Sequence, residues 1–312
     1  DKGPAALIGF WEDRLMPDGR IRMANVGGTW TALIPTPERL TGLRYELEVW
    51  DKKPDGSYVL HDDRDGDNKL SAAERRGSPH NDPFSDLLSA ESGKDFRTSV
   101  VADTTFAWQH DSAKRQRDPS KWVIYQAHIG SLFGMEFKIR KSTLKDITDR
   151  LDYFTKLGVT TLEVLPVNEV EGVRDWGYQG AHSLAIESAY GFEDNHQWIT
   201  GAAALKRFID EAHKRGLNVI NDVVYNHIGG NFNFLWDFDG QKNPYFAWPG
   251  PNGLEKRDSP WAPTPAYHQP FVKQFMVDHA VAQVAEFHFD GLRLDFTEPV
   301  KAEKYWHGGK EF

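Results

Sequence analysis

Cysteine is absent from this 312-residue chain, so disulfide bonds and thiolate metal sites are excluded. Long apolar runs are also absent, since no stretch approaches the roughly 18 residues that span a bilayer. Positive charge is in deficit, with 37 Lys and Arg against 46 Asp and Glu, which gives no electrostatic reason to bind nucleic acid or an anionic membrane. Aromatic residues are abundant, at 11 Trp, 10 Tyr and 19 Phe, and flat amphipathic rings stack well on sugars.

Two parts of the chain differ in their predicted secondary-structure pattern, and this difference together with the length favours two domains. Residues 1–118 alternate short apolar runs, such as "TWTALIP" and "LRYELEVW", with Pro, Gly and Asp clusters, a pattern typical of antiparallel β structure. The polar stretch "DSAKRQRDPSK" at the end of this part is interpreted as a linker. Residues 119–312 instead alternate predicted strands and helices, with a long irregular excursion at 228–266. This alternation predicts an α/β fold with a parallel sheet and right-handed crossovers.

The second part contains four predicted strands and three predicted helices. Apolar spacing predicts their bounds, with Ser142 or Thr143 able to cap the start of the first helix and glycines at the ends of the first two. The strands are expected at 122–130, 159–167, 217–226 and 289–296, and the helices at 142–158, 201–216 and 269–288. In the first helix, the buried stripe is predicted to be Leu144, Ile147, Leu151 and Phe154.

Polar side chains collect at the carboxyl ends of these strands, where parallel β/α folds bind ligands. Arg-x-Asp alone is usually a structural ion pair, and a His after a strand usually bonds its own loop. Their occurrence together at successive strand ends predicts an active site. An Asp kept ionised by an Arg and flanked by His and Tyr suits a nucleophile or a stabiliser of developing positive charge. The residues are Trp176, Tyr178, Asp222, Asn226, His227, Arg293 and Asp295.

"DVVYNH" and "GLRLD" resemble the first two signature regions of the α-amylase family of retaining glycoside hydrolases and transglycosylases. "WVIYQAHIGSLF", "GVTTLEVLPVNEV", "WGYQGAHSLAIESAYG" and "FHFDGLRLDF" occur in the order seen in glycogen branching enzymes and maltooligosyltrehalose trehalohydrolases. The resemblance implies the first half of a catalytic (β/α)₈ TIM barrel at 119–312. "DPFS" and "SVVADTTFAWQHD" further imply an N-terminal β-sandwich at 1–118, similar to a carbohydrate-binding module. The implied substrate is an α-glucan with α-1,4 or α-1,6 linkages.

The same resemblance implies roles for individual residues. Asp295 matches the nucleophile that forms a covalent glycosyl-enzyme intermediate, and Arg293 matches the residue that orients and ionises it. The implied substrate-binding residues are Tyr178, as an aromatic platform, and His227, as a hydrogen-bonding partner of the same sugar, with Asp222, Asn226 and Trp176. Glu298 and Pro299 depart from the Lys-His pair that often follows the nucleophile in hydrolytic amylases.

The resemblance also implies what is missing. In this family the acid/base Glu follows the fifth strand and a stabilising Asp the seventh, whereas only four strands are predicted here. We therefore expect the other half of the barrel from the same longer chain or from a partner chain, and no turnover by this chain alone. The alternative is a non-catalytic glucan-binding protein with a degenerate barrel.

A second site is predicted at "DRDGDNKLSAAE", residues 63–74. Its spacing matches an EF-hand loop that holds Ca²⁺ through carboxylates and one carbonyl. The predicted ligands are Asp63, Asp65, Asp67, the Lys69 carbonyl and Glu74. An acidic surface turn is the alternative. Calcium is more available outside the cytosol, which favours a secreted or periplasmic protein, but the resembled enzymes are intracellular, so the compartment stays open.

Overall fold

A computed structural model of the chain describes residues 2–11, 14–15, 21–26, 29–31, 44–60, 85, 99–100, 105–133, 142–170, 175–229, 233, 235, 244–246, 261–267 and 269–297. The chain divides into two compact units. The first comprises Asp1–Asp103 and Asn231–Asn243, and the second Thr104–Gly230 and Pro244–Phe312. This division does not test the domain boundary predicted at residue 118, which stays a prediction.

The first unit is built on antiparallel strands, as its alternating pattern predicts. Its strands are β1 (Lys2–Trp11), β2 (Arg14–Leu15), β3 (Ile21–Arg22), β4 (Ala24–Val26), β5 (Thr29–Thr31), β6 (Arg44–Lys52), β7 (Tyr58–Leu60) and β8 (Ser99–Val100). Strands β2, β1, β6 and β7 are successive neighbours, while β3 pairs with β1 and β8 with β6. Strands β4 and β5 form a separate hairpin. One sheet and one hairpin are thus described, and the two-layered sandwich stays a prediction.

The second unit contains a four-stranded parallel sheet, which confirms the predicted α/β class. Its elements are β9 (Ile124–Ala127), α1 (Leu144–Thr148), α2 (Leu151–Lys156), β10 (Thr161–Val164), β11 (Phe192–Asp194), β12 (Gln197–Ile199), α3 (Gly201–Lys214), β13 (Asn218–Val224), α4 (Pro270–Ala285) and β14 (Gly291–Asp295). The order in the sheet is β14-β13-β10-β9, which follows the sequence as in a barrel. The pair β11–β12 is a hairpin within the loop after β10.

The helix predicted at 142–158 is two helices, because the chain breaks at Asp149 and Arg150. There the Asp149 amide still bonds the Lys145 carbonyl at 2.9 Å, whereas the Arg150 amide bonds Ile147 at 3.0 Å, one residue nearer. The apolar stripe survives the break, and Leu144, Ile147, Leu151 and Phe154 are all buried as predicted. They pack with residues of α3, β10 and β13 in one core. The core thus lies between the helices and one face of the sheet.

The stretch interpreted as a linker is not an exposed tether. Arg115, near its middle, is only 8% exposed. Its guanidinium contacts Asp290, which directly precedes β14, with Nη2 to Oδ1 at 3.1 Å. The stretch is therefore anchored to the second unit at the amino end of the sheet through Arg115, while most of its other residues are exposed.

Candidate active site

Strand register brings the predicted site residues together at the carboxyl end of the sheet. Strands β13 and β14 are parallel, with Asp222 paired to Arg293 and Val224 to Asp295. Side chains two apart on one strand share a face, so Arg293 and Asp295 project to the same side. Asn226 and His227 lie two and three residues after the end of β13, and Tyr178 lies in the loop after β10. The structure thereby confirms that these segments converge.

Arg293 is shared between two carboxylates. Its Nη1 lies 2.9 and 3.0 Å from the two oxygens of Asp222 and 2.6 Å from Oδ1 of Asp295. Asp222 is completely buried, whereas the Asp295 side chain is 23% exposed. One guanidinium therefore holds an inner and an outer carboxylate in fixed relation, and the outer one remains accessible.

Burial and charge act in opposite directions on this trio. Burial raises the pKa of Asp222 above its usual value, and the hydrogen bonds from Tyr178 and Arg293 only partly offset that effect. For Arg293, burial lowers the pKa, but the hydrogen bonds to Asp222 and Asp295 outweigh it, and the net shift is upward. Arg293 is thus a permanent positive charge beside Asp295.

Tyr178 reaches Asp222 because of the turn that precedes it. Its hydroxyl donates to Oδ2 of Asp222 at 2.6 Å. Gly177 adopts φ +91°, and a Cβ there would lie 2.2 Å from the Pro166 carbonyl oxygen, so only glycine fits. The Asp175 carboxylate accepts the Gly177 amide at 2.7 Å and closes the turn. Burial, followed by the bond to Asp222, raises the pKa of Tyr178, which therefore stays a neutral donor.

Asn226 and His227 complete the wall of the site. The Asn226 side-chain amide donates to the Asp295 carbonyl at 3.1 Å and lies 3.4 Å from Oδ2 of the same residue. His227 Nε2 contacts the Tyr178 carbonyl oxygen at 2.8 Å, and Nδ1 contacts Oδ1 of Asn226. Burial lowers the pKa of His227, which favours the neutral ring with a single N–H. His227 therefore joins the loops after β10 and β13.

Two tryptophans lie in the loops around the site. Trp176, which sequence reasoning placed among the substrate-binding residues, is 70% exposed. Trp261 was missed, although it is 52% exposed, its ring centroid lies 5.9 Å from that of His227, and Phe296 packs edge-on to it at 4.9 Å. The only signal was an aromatic residue in the Pro-rich "SPWAP". The Ile228 amide, bonded to the Pro263 carbonyl at 3.0 Å, brings this segment to the site.

The predicted calcium ligands cannot be compared with this site. Asp63, Asp65, Asp67, Lys69 and Glu74 all lie outside the described residues, as do Glu298 and Pro299. Within the described ranges, no group of three or more His, Asp or Glu is arranged to hold a metal ion. The calcium loop therefore stays a prediction.

No helix in the described part of the chain combines the length and apolarity needed to cross a membrane.

Fold and site together define a TIM-barrel-type protein whose carboxylates stand at the strand ends. Residues 115–268 match the family described as "Alpha amylase, catalytic domain". This stretch of the chain belongs to the α-amylase family, as its motifs predicted.

Curated relatives agree with that assignment. The chain is 32% identical over 206 residues to the malto-oligosyltrehalose trehalohydrolase of Saccharolobus solfataricus, an alignment covering 65% of this chain and 32% of that protein. For the corresponding enzyme of Rhizobium sp. (strain M-11), identity is 34%, with coverages of 66% and 30%. The 1,4-alpha-glucan branching enzyme GlgB of Oceanobacillus iheyensis is 32% identical, with coverages of 69% and 32%. The chain thus spans about a third of the length of these relatives.

Solved structures share the fold. A putative alpha amylase from Salmonella typhimurium superposes with a TM-score of 0.67 at 24% identity, covering 98% of this chain and 41% of that one. The pullulanase of Paenibacillus barengoltzii, solved in complex with maltohexaose and alpha-cyclodextrin, gives a TM-score of 0.70 at 22% identity, with coverages of 94% and 45%.

Proposed function

We propose that this chain is part of an α-glucan-active retaining glycosidase or glucanotransferase in which Asp295 is the nucleophile. The observation that carries the proposal is the shared guanidinium, since Arg293 Nη1 lies 2.6 Å from Oδ1 of Asp295 while Oδ2 faces the Asn226 amide at 3.4 Å. Such contacts orient a carboxylate for attack on an anomeric carbon and neutralise its charge until an oxocarbenium-like transition state develops. The relatives named above supply the substrate class.

Asp222 has a supporting role in this proposal. Its oxygens already accept from Arg293 and Tyr178, and it has no exposed surface, so it cannot reach a glycosidic oxygen. It fixes Arg293, which in turn fixes Asp295. Tyr178 and His227 would line the sugar subsite. Because both His227 nitrogens face carbonyl oxygens, a bond from its ring to a sugar hydroxyl would replace one of those contacts.

The second catalytic carboxylate is proposed to come from the rest of the barrel. A retaining mechanism needs a second carboxyl group about 5–5.5 Å from the nucleophile. Within the described sheet, β9 and β14 each have a strand neighbour on one side only. Helix α4, which precedes β14 along the chain, also exposes apolar side chains, with Val277 at 46%, Val281 at 55% and Val284 at 50%. These edges suit further β/α units from the same longer chain or a partner chain, without which we expect no turnover.

The test is Asp295→Asn in the whole protein that carries this chain. We expect kcat on maltooligosaccharides to fall on the order of 10⁴-fold or more, with glucan binding retained, because a nucleophile is lost while the wall of the site remains. Azide added to Asp295→Gly should restore turnover, because azide takes the place of the missing nucleophile and the product is a glycosyl azide. Asp149→Asn, an exposed carboxylate paired with Lys145, is the matched control and should leave kcat unchanged.

Turnover that survives in folded Asp295→Asn would refute the proposed nucleophile. An unsubstituted whole protein that binds glucan without cleaving or transferring it would instead support the alternative, a glucan-binding protein with a degenerate barrel. The calcium loop at 63–74 is proposed as a structural part of the same protein because its acidic residues have the spacing of an EF-hand loop. The N-terminal β-sandwich is proposed because residues 1–118 resemble the domain that precedes the barrel in related enzymes.

A further inference from the structure

A chain of buried polar side chains runs from helix α4 to the candidate active site. Its centre is His279, which is 4% exposed and lies in the third turn of α4. His279 Nδ1 contacts the Tyr225 hydroxyl at 2.9 Å, and Nε2 lies 3.3 Å from Asn168 Nδ2 and 3.3 Å from Gln283 Nε2. Buried polar side chains that hydrogen-bond one another restrain each other's positions, so the cluster links helix α4 to the residues it contacts.

The hydrogen-bond directions in this cluster can be assigned. Asn221 Nδ2 donates to Gln283 Oε1 at 3.0 Å, which turns the amide nitrogen of Gln283 towards His279. His279 Nε2 therefore accepts, and a neutral ring then carries its proton on Nδ1 and donates to Tyr225. Burial lowers the pKa of His279 to about 4, so the neutral ring is the form present at neutral pH.

The two loops that His279 joins are those that carry the site. Asn168 follows β10, bridges to Ile186 and donates to the Ser183 carbonyl, so it belongs to the loop that contains Tyr178. Tyr225 directly precedes Asn226 and His227, and its carbonyl accepts the Tyr267 hydroxyl at 2.6 Å. A small cavity of about 40 Å³ is lined by Tyr178 and His227 together with Asn168, Tyr225 and His279 of this cluster.

We propose that His279 is a positioning residue that holds the loop after β10 and the loop after β13 in register, and thereby sets Tyr178 against Asn226 and His227. It touches none of the groups assigned to catalysis and acts through Asn168 and Tyr225. The role of His279 in positioning the two loops does not depend on the proposed function. Its expected effect on turnover does rest on the proposed function.

The experiment uses His279→Leu, His279→Gln and Tyr225→Phe in the whole protein. Tyr225→Phe removes only the hydroxyl that bonds His279 Nδ1 and keeps the ring, so it tests the proposal even if His279→Leu does not fold. His279→Gln keeps an amide oxygen near the Nε2 position, which can still accept from Asn168 and Gln283. The matched control is Leu151→Ala, a fully buried core residue on α2 that loosens the same unit away from this cluster.

Two readouts separate this proposal from the proposed function. Hydrogen–deuterium exchange of peptides covering 175–183 and 225–229 should speed up in His279→Leu and Tyr225→Phe, and not selectively in Leu151→Ala. On maltooligosaccharides, kcat should fall on the order of tenfold to a hundredfold in His279→Leu, with KM changed less and partial rescue in His279→Gln, since small misplacements cost that much. The effects of His279→Leu and Tyr225→Phe on exchange and on kcat should not add in the double variant, because both substitutions remove the same contact.

Unchanged exchange in both peptides for folded His279→Leu and Tyr225→Phe would overturn the proposal, as would equal effects in Leu151→Ala. If the unsubstituted protein has no turnover, the proposed function fails, but the exchange measurement still decides the role of His279.

Discussion

The two ends of the parallel sheet each bury an aspartate against an arginine, but they use the pair differently. At the amino end, Asp290 accepts from Arg115 and Arg117 on one oxygen and contacts His213 Nε2 at 3.0 Å and the Val219 amide at 2.9 Å on the other. Burial raises the pKa of Asp290, but these donors outweigh it and bring the pKa below its usual value. All of its lone pairs are occupied by the fold.

At the carboxyl end, Asp222 has fewer donors and shares its arginine. The side chain of Arg293 is 40% exposed, compared with 3% for the side chain of Arg115, and Arg293 also holds the accessible Asp295. Burial prevails at Asp222 and raises its pKa. An aspartate saturated by donors stabilises a fold, whereas an arginine divided between two carboxylates leaves one of them available for chemistry. Barrels generally divide stability and catalysis between the same two ends.

The largest expected effect is a difference in how much the protein loses in stability when the aspartate at each end of the sheet is removed. Asp290→Ala should lower the free energy of unfolding by about 3–5 kcal/mol, because buried Arg115 loses its partner. Asp222→Ala should cost less, about 1–3 kcal/mol, because Arg293 reaches solvent and keeps Asp295. Urea unfolding followed by tryptophan fluorescence measures both. If Asp222→Ala proves the more destabilising of the two, the division between the ends is wrong.

A smaller effect concerns pH, and it should have opposite signs at the two ends. The lowered folded-state pKa of Asp290 contributes stability that is present above the unfolded value near 4 and lost as pH falls through the folded value. The raised pKa of Asp222 means that the folded state binds its proton first, so acidification relieves an unfavourable contribution.

The measurement is the free energy of unfolding between about pH 7 and pH 3. The advantage of the unsubstituted protein over Asp290→Asn should shrink towards acid, and its advantage over Asp222→Asn should grow. Differences that move in the same direction for the two variants would contradict the assigned pKa directions.

The smallest effect compares two arginines on one carboxylate. Arg117 contacts the same Asp290 oxygen as Arg115 at 3.0 Å, but its side chain is 63% exposed. Arg117→Ala should therefore cost less than about 1 kcal/mol, since solvent screens an exposed pair. Arg115→Ala is the control and should cost more in the same urea measurement. Equal costs would show that exposure does not decide the strength of these pairs.

Much of the second unit could be predicted because its signals are local. The strand of alternating and buried residues at 217–226, the spacing of Arg293 and Asp295, and the glycine-ended helices each depend on neighbours a few positions away. The break between α1 and α2 was missed because Leu144, Ile147, Leu151 and Phe154 keep helical spacing across it. A periodic pattern shows which face is buried, but it does not show that every turn is helical.

Contacts between distant residues could not be predicted. Arg115 meets Asp290 from 175 positions away, and Asn168 meets His279 from 111. From the neighbouring sequence alone, each of these residues is indistinguishable from an ordinary polar residue in a loop or helix. Their partners are chosen only when the crossovers bring separate strands side by side, since burial then requires every polar group to find a bond.

The sequence by itself determined the α/β class, the parallel strand order and the group of side chains at the strand ends, because periodicity and spacing are properties of the chain. Only the tertiary structure decided which carboxylate shares Arg293 and remains accessible, and which is enclosed. Exposure and hydrogen-bond partners depend on how strands register and loops close, so Asp222 and Asp295 acquire different roles although both are aspartates at neighbouring strand ends.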